Sequence, residues 1–323
     1  MEKGVLILGN GFDLDLGLKT SYSNFMDSED FKAIVYNNYF ARYLQDRRER
    51  LGGNWIDIEN EIKSYVHVTV PHTIDEVAHN NKELPQFKKD YYELIEALKT
   101  YLSNIDLSNI NIDSCAAKIL KAVINNGYFS ILSYNYTDLK TIASQLSITK
   151  LSNRKLIDKD SFVKNIHGSI KDKNIILGVE DGAEIDKEYC YVVKSMSQYF
   201  KSNNVRGTLE DADIVLFFGH SLGETDYLYF EEFFSLQSKV YNEKPKRKYI
   251  RFFTKDEESR IEIMYRLRKM NNKQTSLLYD LNDFRVYKTT EDDNNIKEVI
   301  DSLEASRNEN ISETKPKGLR RIN

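Results

Sequence analysis

The sequence predicts an α/β protein whose sheet is doubly wound and mostly parallel, with a helical insertion after its first strand. Three observations support this. Short runs of mostly apolar residues recur along the chain, as strands covered on both faces require. Segments with helical spacing alternate with those runs, the pattern of strand–helix–strand units. Polar or glycine-rich turns close four of the runs, where a parallel sheet presents its ligand-facing rim.

Taken in order, the expected strands are Gly4–Leu8, Phe129–Ser133, Val163–His167, Ile214–Phe218, Tyr249–Thr254 and Phe284–Tyr287. Among the expected helices, Asp256–Met270 opens on an acidic turn and carries Ile261, Ile263, Met264 and Leu267, and Asp226–Gln237 is rich in Phe and Leu. Residues 31–124 break the alternation and read as helices Phe31–Arg48, Trp55–Val66, Leu84–Leu102 and Ile112–Ile124. A stretch of about ninety residues is too long for a structureless loop, so a helical insertion, or cap, at one edge of the sheet is expected. Proline is scarce and no Gly/Ser-rich linker appears, so one domain over 1–305 is expected. A disordered basic tail is expected over 306–323, with Lys315, Lys317, Arg320 and Arg321.

Composition removes several classes of function. The 46 Lys and Arg stand against 50 Asp and Glu, a net charge of −4, so no nucleic-acid partner is expected. Cys115 and Cys190 are the two cysteines, too few for a Cys-rich zinc module or a disulfide framework. His67, His72 and His79 lack an i, i+4 pair and a carboxylate ligand set, so no metal is expected. No apolar run approaches the roughly 18 residues a membrane span needs. The N-terminal stretch is too short and too acidic for a signal peptide, and a cytoplasmic protein with no membrane partner is expected.

The chemistry-bearing residues sit in the turns. Gly9-Asn10-Gly11-Phe12-Asp13 follows the first strand, where glycines let backbone N–H groups approach phosphates; Leu14 stands where a third glycine would complete the dinucleotide fingerprint. Gly17-Leu18-Lys19-Thr20-Ser21-Tyr22 continues as a polar, aromatic segment. Ser133-Tyr134-Asn135-Tyr136-Thr137-Asp138 closes the second strand, and Asn135 has the chemistry to orient a water or a ribose hydroxyl, or simply to start a helix. His167 in Asn165-Ile166-His167-Gly168-Ser169 is a candidate general acid or base. Gly219-His220-Ser221-Leu222-Gly223-Glu224-Thr225-Asp226 combines glycine, a hydroxyl and a helix start suited to ribose or phosphate. Four such turns on one sheet are expected to converge on one crevice. At helical spacing Trp55, Ile58, Glu59 and Ile62 share a face, so Glu59 must find a partner or take up a raised pKa, as an anchor of the insertion or as a group reaching the crevice.

The order of these motifs resembles the NAD-binding core of sirtuins. Gly9–Asp13 with Gly17-Leu18 corresponds to the sirtuin phosphate loop, Asn135 to its ribose- and water-contacting Asn, His167-Gly168 to its catalytic pair, and Gly219-His220-Ser221-Leu222 to its Gly-Thr-Ser-Leu turn. More closely, residues from about 3 to 230 resemble the AbiH family of phage abortive-infection proteins. The shared pieces are Gly9–Leu14, Trp55-x-Asp57-x-Glu59, Tyr134–Thr137, His167–Ser169 and Gly219–Leu222. The sequence departs from sirtuins at Asp13, where they carry Ser, at Thr137, where they carry an acid, and in lacking the zinc module.

The resemblance implies a sirtuin-like, Rossmann-like sheet and a metal-free NAD glycohydrolase without deacetylase activity. Asn135 and His167 would be catalytic. Gly9, Asn10, Gly11, Phe12, Asp13, Thr20, Tyr22, Gly219, His220, Ser221 and Asp226 would bind NAD. NAD is then the substrate, a homo-oligomer is expected, and a phage-derived trigger would activate it. Two other readings stand beside this one: a non-enzymatic nucleotide sensor with a degenerate site, and a nucleic-acid-directed toxin.

Overall fold

The computed structural model describes residues 2–52, 56–69, 74–147, 162–240 and 245–314, with backbone alone over 67–69, 74–84 and 306–314. Strands β1 (Gly4–Leu8), β2 (Phe129–Ser133), β3 (Val163–Asn165), β4 (Ile214–Phe218), β5 (Tyr249–Thr254) and β6 (Asp283–Lys288) form one sheet. Its order is β3-β2-β1-β4-β5-β6, and every pairing is parallel. The order reverses between β1 and β4, the place where doubly wound sheets open a crevice beyond their strand C-termini. Register levels that edge: Leu8 pairs with both Ser133 and Phe218, and Ser133 pairs with Asn165. The turn residues singled out above therefore leave the sheet at one height.

Both faces of the sheet are covered, which is why β1 and β4 are apolar without alternation. Leu6, Leu8, Ile131, Leu216 and Phe218 pack against helix Cys115–Asn126 and the C-terminal helix Asp293–Thr314. Val5, Ile7, Leu132, Val215, Phe217 and Phe252 pack against helices Val205–Asp211, Tyr227–Gln237, Glu257–Met270 and Thr275–Leu281. Helix Asp293–Thr314 carries regular structure past Ser306, into the segment expected to be a disordered tail. Lys315, Lys317, Arg320 and Arg321 lie outside the described residues.

The described residues between β1 and β2 are largely helical and bury a core of their own. Phe25, Phe31, Phe40, Leu44, Ile58, Ile62, Phe87 and Leu94 bury together with Ile175, Leu177, Val179 and Val192 of the segment following β3. Each fully buried Phe contributes roughly 1.5–3 kcal/mol, and edge-on ring pairs such as Phe40–Phe87 at 5.2 Å add direction to that packing. Capping side chains set the helix starts. Ser21, Ser28, Asn38 and Ser114 each accept from a backbone N–H three residues on, opening helices Tyr22–Asp27, Glu29–Val35, Tyr39–Arg50 and Cys115–Asn126. Asn38 thus divides the expected helix Phe31–Arg48 in two, and Ser114 moves the start of the last one to Cys115. Helix Ile74–Ser103 begins before the expected Leu84. Trp55 and the side chains of His67, His72 and His79 lie outside the described residues.

Candidate active site

The turn after β1 and the turn after β4 lie in backbone contact, and their glycines make this approach available. A Cβ on Gly9 would stand 2.5 Å from the His220 Cα, and one on Gly11 would stand 2.7 Å from the Gly219 Cα. Gly9 N–H donates to Phe218 O, Gly11 N–H to Gly219 O and Phe12 N–H to Gly9 O. These three N–H groups, expected to face phosphates, are therefore spent inside the protein. Phe12 points into the core against Phe218. What this corner offers outward is Asn10 and Ser221, both exposed, with half-buried Thr20, whose hydroxyl donates to Asn10 Oδ1 at 2.6 Å.

Asn135 and Asp13 form the next layer inward, and both are buried. Asn135 Nδ2 donates to Gly9 O at 3.0 Å and to Asp13 Oδ1 at 2.8 Å. Both amide hydrogens are committed, so the chemistry Asn135 can offer a ligand is that of an acceptor, through Oδ1. Thr137 Oγ1 donates to Asp13 Oδ2 at 2.9 Å. Burial nonetheless dominates, and the Asp13 pKa is pushed up to about 7. Tyr22 is half-buried, and burial raises its hydroxyl and that of its hydrogen-bond partner Tyr136 well above the ordinary tyrosine range.

His167 leaves β3 beside Asn135. The segments run together, with Ile166 N–H donating to Ser133 O and Ile170 N–H to Tyr136 O. Gly168 takes φ +77, and a Cβ there would meet Asn174 O at 2.0 Å, so the His-Gly pair also serves a tight turn. His167 Nε2 lies 3.0 Å from Asp226 Oδ1, and its ring meets Tyr134 edge-on. His220 also packs on Tyr134; its Nδ1 accepts the Leu222 N–H at 3.0 Å, and its Nε2 lies 3.8 Å from Asp226 Oδ2. Burial pushes the His220 pKa down to about 4. Leu222 holds φ +53, a left-handed conformation rare for a branched residue and paired here with that hydrogen bond and full burial.

The residue that ties these parts together is Lys194, which sequence reasoning missed. Its ammonium lies 3.0 Å from Glu59 Oε2, 3.1 Å from Asp226 Oδ1, 3.3 Å from His167 Nε2 and 3.5 Å from Thr225 O. Burial disfavours the charge, but the Asp226 and Glu59 carboxylates outweigh it and raise the Lys194 pKa. The Asp226 pKa is lowered: burial works against ionisation there too, and Lys194 and His167 overcome it. Glu59 Oε2 also accepts from Thr225 Oγ1 at 2.7 Å, so the helical insertion is anchored in the same network. Asp57 caps helix Ile58–Thr69 through the N–H groups of Glu59 and Asn60, and burial pushes its pKa up to about 6. Among the described residues, Glu59 Oε1 and the Tyr134 hydroxyl are buried without a hydrogen-bond partner. The signal for Lys194 was a single cation closing the apolar run Tyr191-Val192-Val193, a place where a charge needs partners.

A six-stranded parallel sheet covered by helices on both faces, with its order reversing between β1 and β4, defines a protein of the doubly wound α/β class. Among the described residues, no group of three or more His, Cys, Asp or Glu is placed to hold a metal ion, and no helix is long and apolar enough to cross a membrane. The chain belongs to the AbiH family: the family model described as Bacteriophage abortive infection AbiH matches residues 5–244. This membership implies a role in phage abortive infection. Comparison with curated proteins and with solved structures returned no match.

Proposed function

We propose that this chain acts in abortive infection by hydrolysing NAD at the nicotinamide–ribose bond, in the manner of sirtuin-like NAD glycohydrolases. The observation that carries the reading is Asn135, an amide held by Gly9 O and Asp13 beside the switch point, with His167 on the neighbouring strand end. Cleavage of that bond passes through an oxocarbenium-like state with neutral nicotinamide leaving. Water adds to the ribose carbon as the C–N bond breaks, giving ADP-ribose, nicotinamide and a proton. Asn135 Oδ1 holds the water or a ribose hydroxyl, and His167 takes the proton. Asn10, Thr20 and Ser221 form the polar rim for ribose and phosphates, a task the internally bonded N–H groups of Gly9, Gly11 and Phe12 do not share. The helical insertion acts as a cap joined to this centre through Glu59, and the active assembly is a homo-oligomer released by a phage-derived trigger.

The test is nicotinamide release by purified protein, together with cellular NAD measured through phage infection. Wild type is expected to deplete NAD, and Asn135→Ala or His167→Ala to slow release by about 100-fold or more while retaining the wild-type circular dichroism spectrum. Growth arrest on infection with NAD unchanged would overturn the reading.

A further inference from the structure

We propose that Asp226 is the positioning residue for His167, holding its ring with the proton on Nε2 so that Nδ1 is the nitrogen able to accept a proton. The use of Nδ1 in hydrolysis rests on the NAD reading above; the placement of the proton does not.

An ammonium has three hydrogens, and three oxygens surround Lys194 Nζ: Glu59 Oε2, Asp226 Oδ1 and Thr225 O. With those contacts made, the ammonium has no hydrogen left for His167 Nε2 at 3.3 Å. The same Nε2 lies 3.0 Å from Asp226 Oδ1. A lone pair on nitrogen facing a carboxylate at that distance would be repulsive, so Nε2 carries the hydrogen and donates it. Neutral imidazole has one N–H and one acceptor, which leaves the lone pair on Nδ1.

Glu59 gives the arrangement its stability. Without it, Lys194 would face Asp226 as its one carboxylate and draw that oxygen away from the ring. With it, one ammonium sits between two carboxylates, and Asp226 Oδ1 serves both Lys194 and His167. His220 provides a reference within the same fold, because its Nδ1 accepts from Leu222 N–H and its proton is likewise on Nε2. The helical insertion thereby contributes to the state of His167 through Glu59.

The experiment is nitrogen-15 NMR of imidazole-labelled full-length protein at pH 8, tractable because the chain has five histidines. His167→Gln assigns the resonance. The expected result is an Nε2–H tautomer for His167, matching His220. A ring protonated on Nδ1, or on both nitrogens, would overturn the proposal. In Asp226→Asn the side-chain amide can donate to Nε2, so part of the His167 signal should move to the Nδ1–H form, with nicotinamide release falling at least tenfold at unchanged KM. An unchanged tautomer and unchanged turnover in that variant would overturn it as well. If wild type releases no nicotinamide, the hydrolase reading fails, and the tautomer still decides the role of Asp226. The wild-type spectrum is decisive even if Asp226→Asn does not fold.

Discussion

Asp13 and Asp226 are buried carboxyls at the same edge of one sheet, one following β1 and the other following β4, and their surroundings set them apart. Asp13 meets the neutral donors Asn135 and Thr137, and among the described residues no cation pairs with it. Burial therefore prevails, and its pKa is pushed up to about 7. Asp226 is buried too, yet Lys194 and His167 overcome the effect of burial and hold its pKa well below the usual carboxylate range. Near neutral pH the first carboxyl exchanges a proton while the second is a fixed charge. Like groups driven apart by their environments are how one site divides proton transfer from charge stabilisation.

The largest way to break this contrast is to remove the cation. Lys194→Met would leave Glu59 and Asp226 buried together without their shared partner, and breaking a buried pair in this way costs about 3–5 kcal/mol. Urea unfolding at pH 7 measures it. The exposed Lys32–Glu29 pair is the control, because losing it should cost no more than about 1 kcal/mol. A comparably small loss for Lys194→Met would mean that the two carboxylates find water or share a proton, and the fixed-charge role of Asp226 would fall with it.

The second test removes the proton-exchanging group. The folded-state pKa of Asp13 lies above its ordinary 3.8, so the folded chain binds more protons than the unfolded chain between the two values. Its contribution to stability is complete below pH 3.8 and is lost as pH rises towards about 7. At 1.36 kcal/mol per pKa unit the loss is on the order of 4 kcal/mol. Asp226 has the opposite sign: its contribution is present above the unfolded pKa and is lost as pH falls through the depressed folded value. Asp13→Asn keeps the shape and an acceptor for Asn135 while removing the titration. The stability difference between wild type and Asp13→Asn should therefore change steadily from pH 4 to pH 7 and level off above. A constant difference across that range would show that Asp13 titrates as an ordinary carboxyl.

The legibility of these two regions in the sequence differs for physical reasons. Strands β1, β2, β4 and β5 were readable because each is a short apolar run covered on both faces. The turns after β1, β2, β3 and β4 were readable because polar residues interrupt such runs abruptly. Asn135 and His167 each lie two residues beyond Ser133 and Asn165, the paired ends of neighbouring strands. What the sequence could not convey was contact between distant segments. Lys194 lies 135 residues from Glu59 and 32 from Asp226, and no local pattern links them. The glycines are ambiguous in a different way: a glycine required for backbone contact with the β4 turn, as Gly9 and Gly11 are, looks the same in a sequence as one that faces a phosphate.

The finest test of the comparison is Thr137→Val, which preserves shape and deletes one hydroxyl. Thr137 Oγ1 is a donor to Asp13 Oδ2, and this bond favours the ionised carboxylate, lowering a pKa that burial has raised. Without the donor, a buried oxygen of Asp13 loses a partner when ionised, at a cost of about 1–3 kcal/mol. The cost falls on the charged form, so the variant should match wild type near pH 4 and be less stable near pH 8. The upper edge of the Asp13 titration should move above its present value of about 7. Carbon-13 NMR of the labelled aspartate carboxyl reads that edge directly. A shift to lower pH would reverse the sign and show that Thr137 accepts from a protonated Asp13 instead of donating to an ionised one.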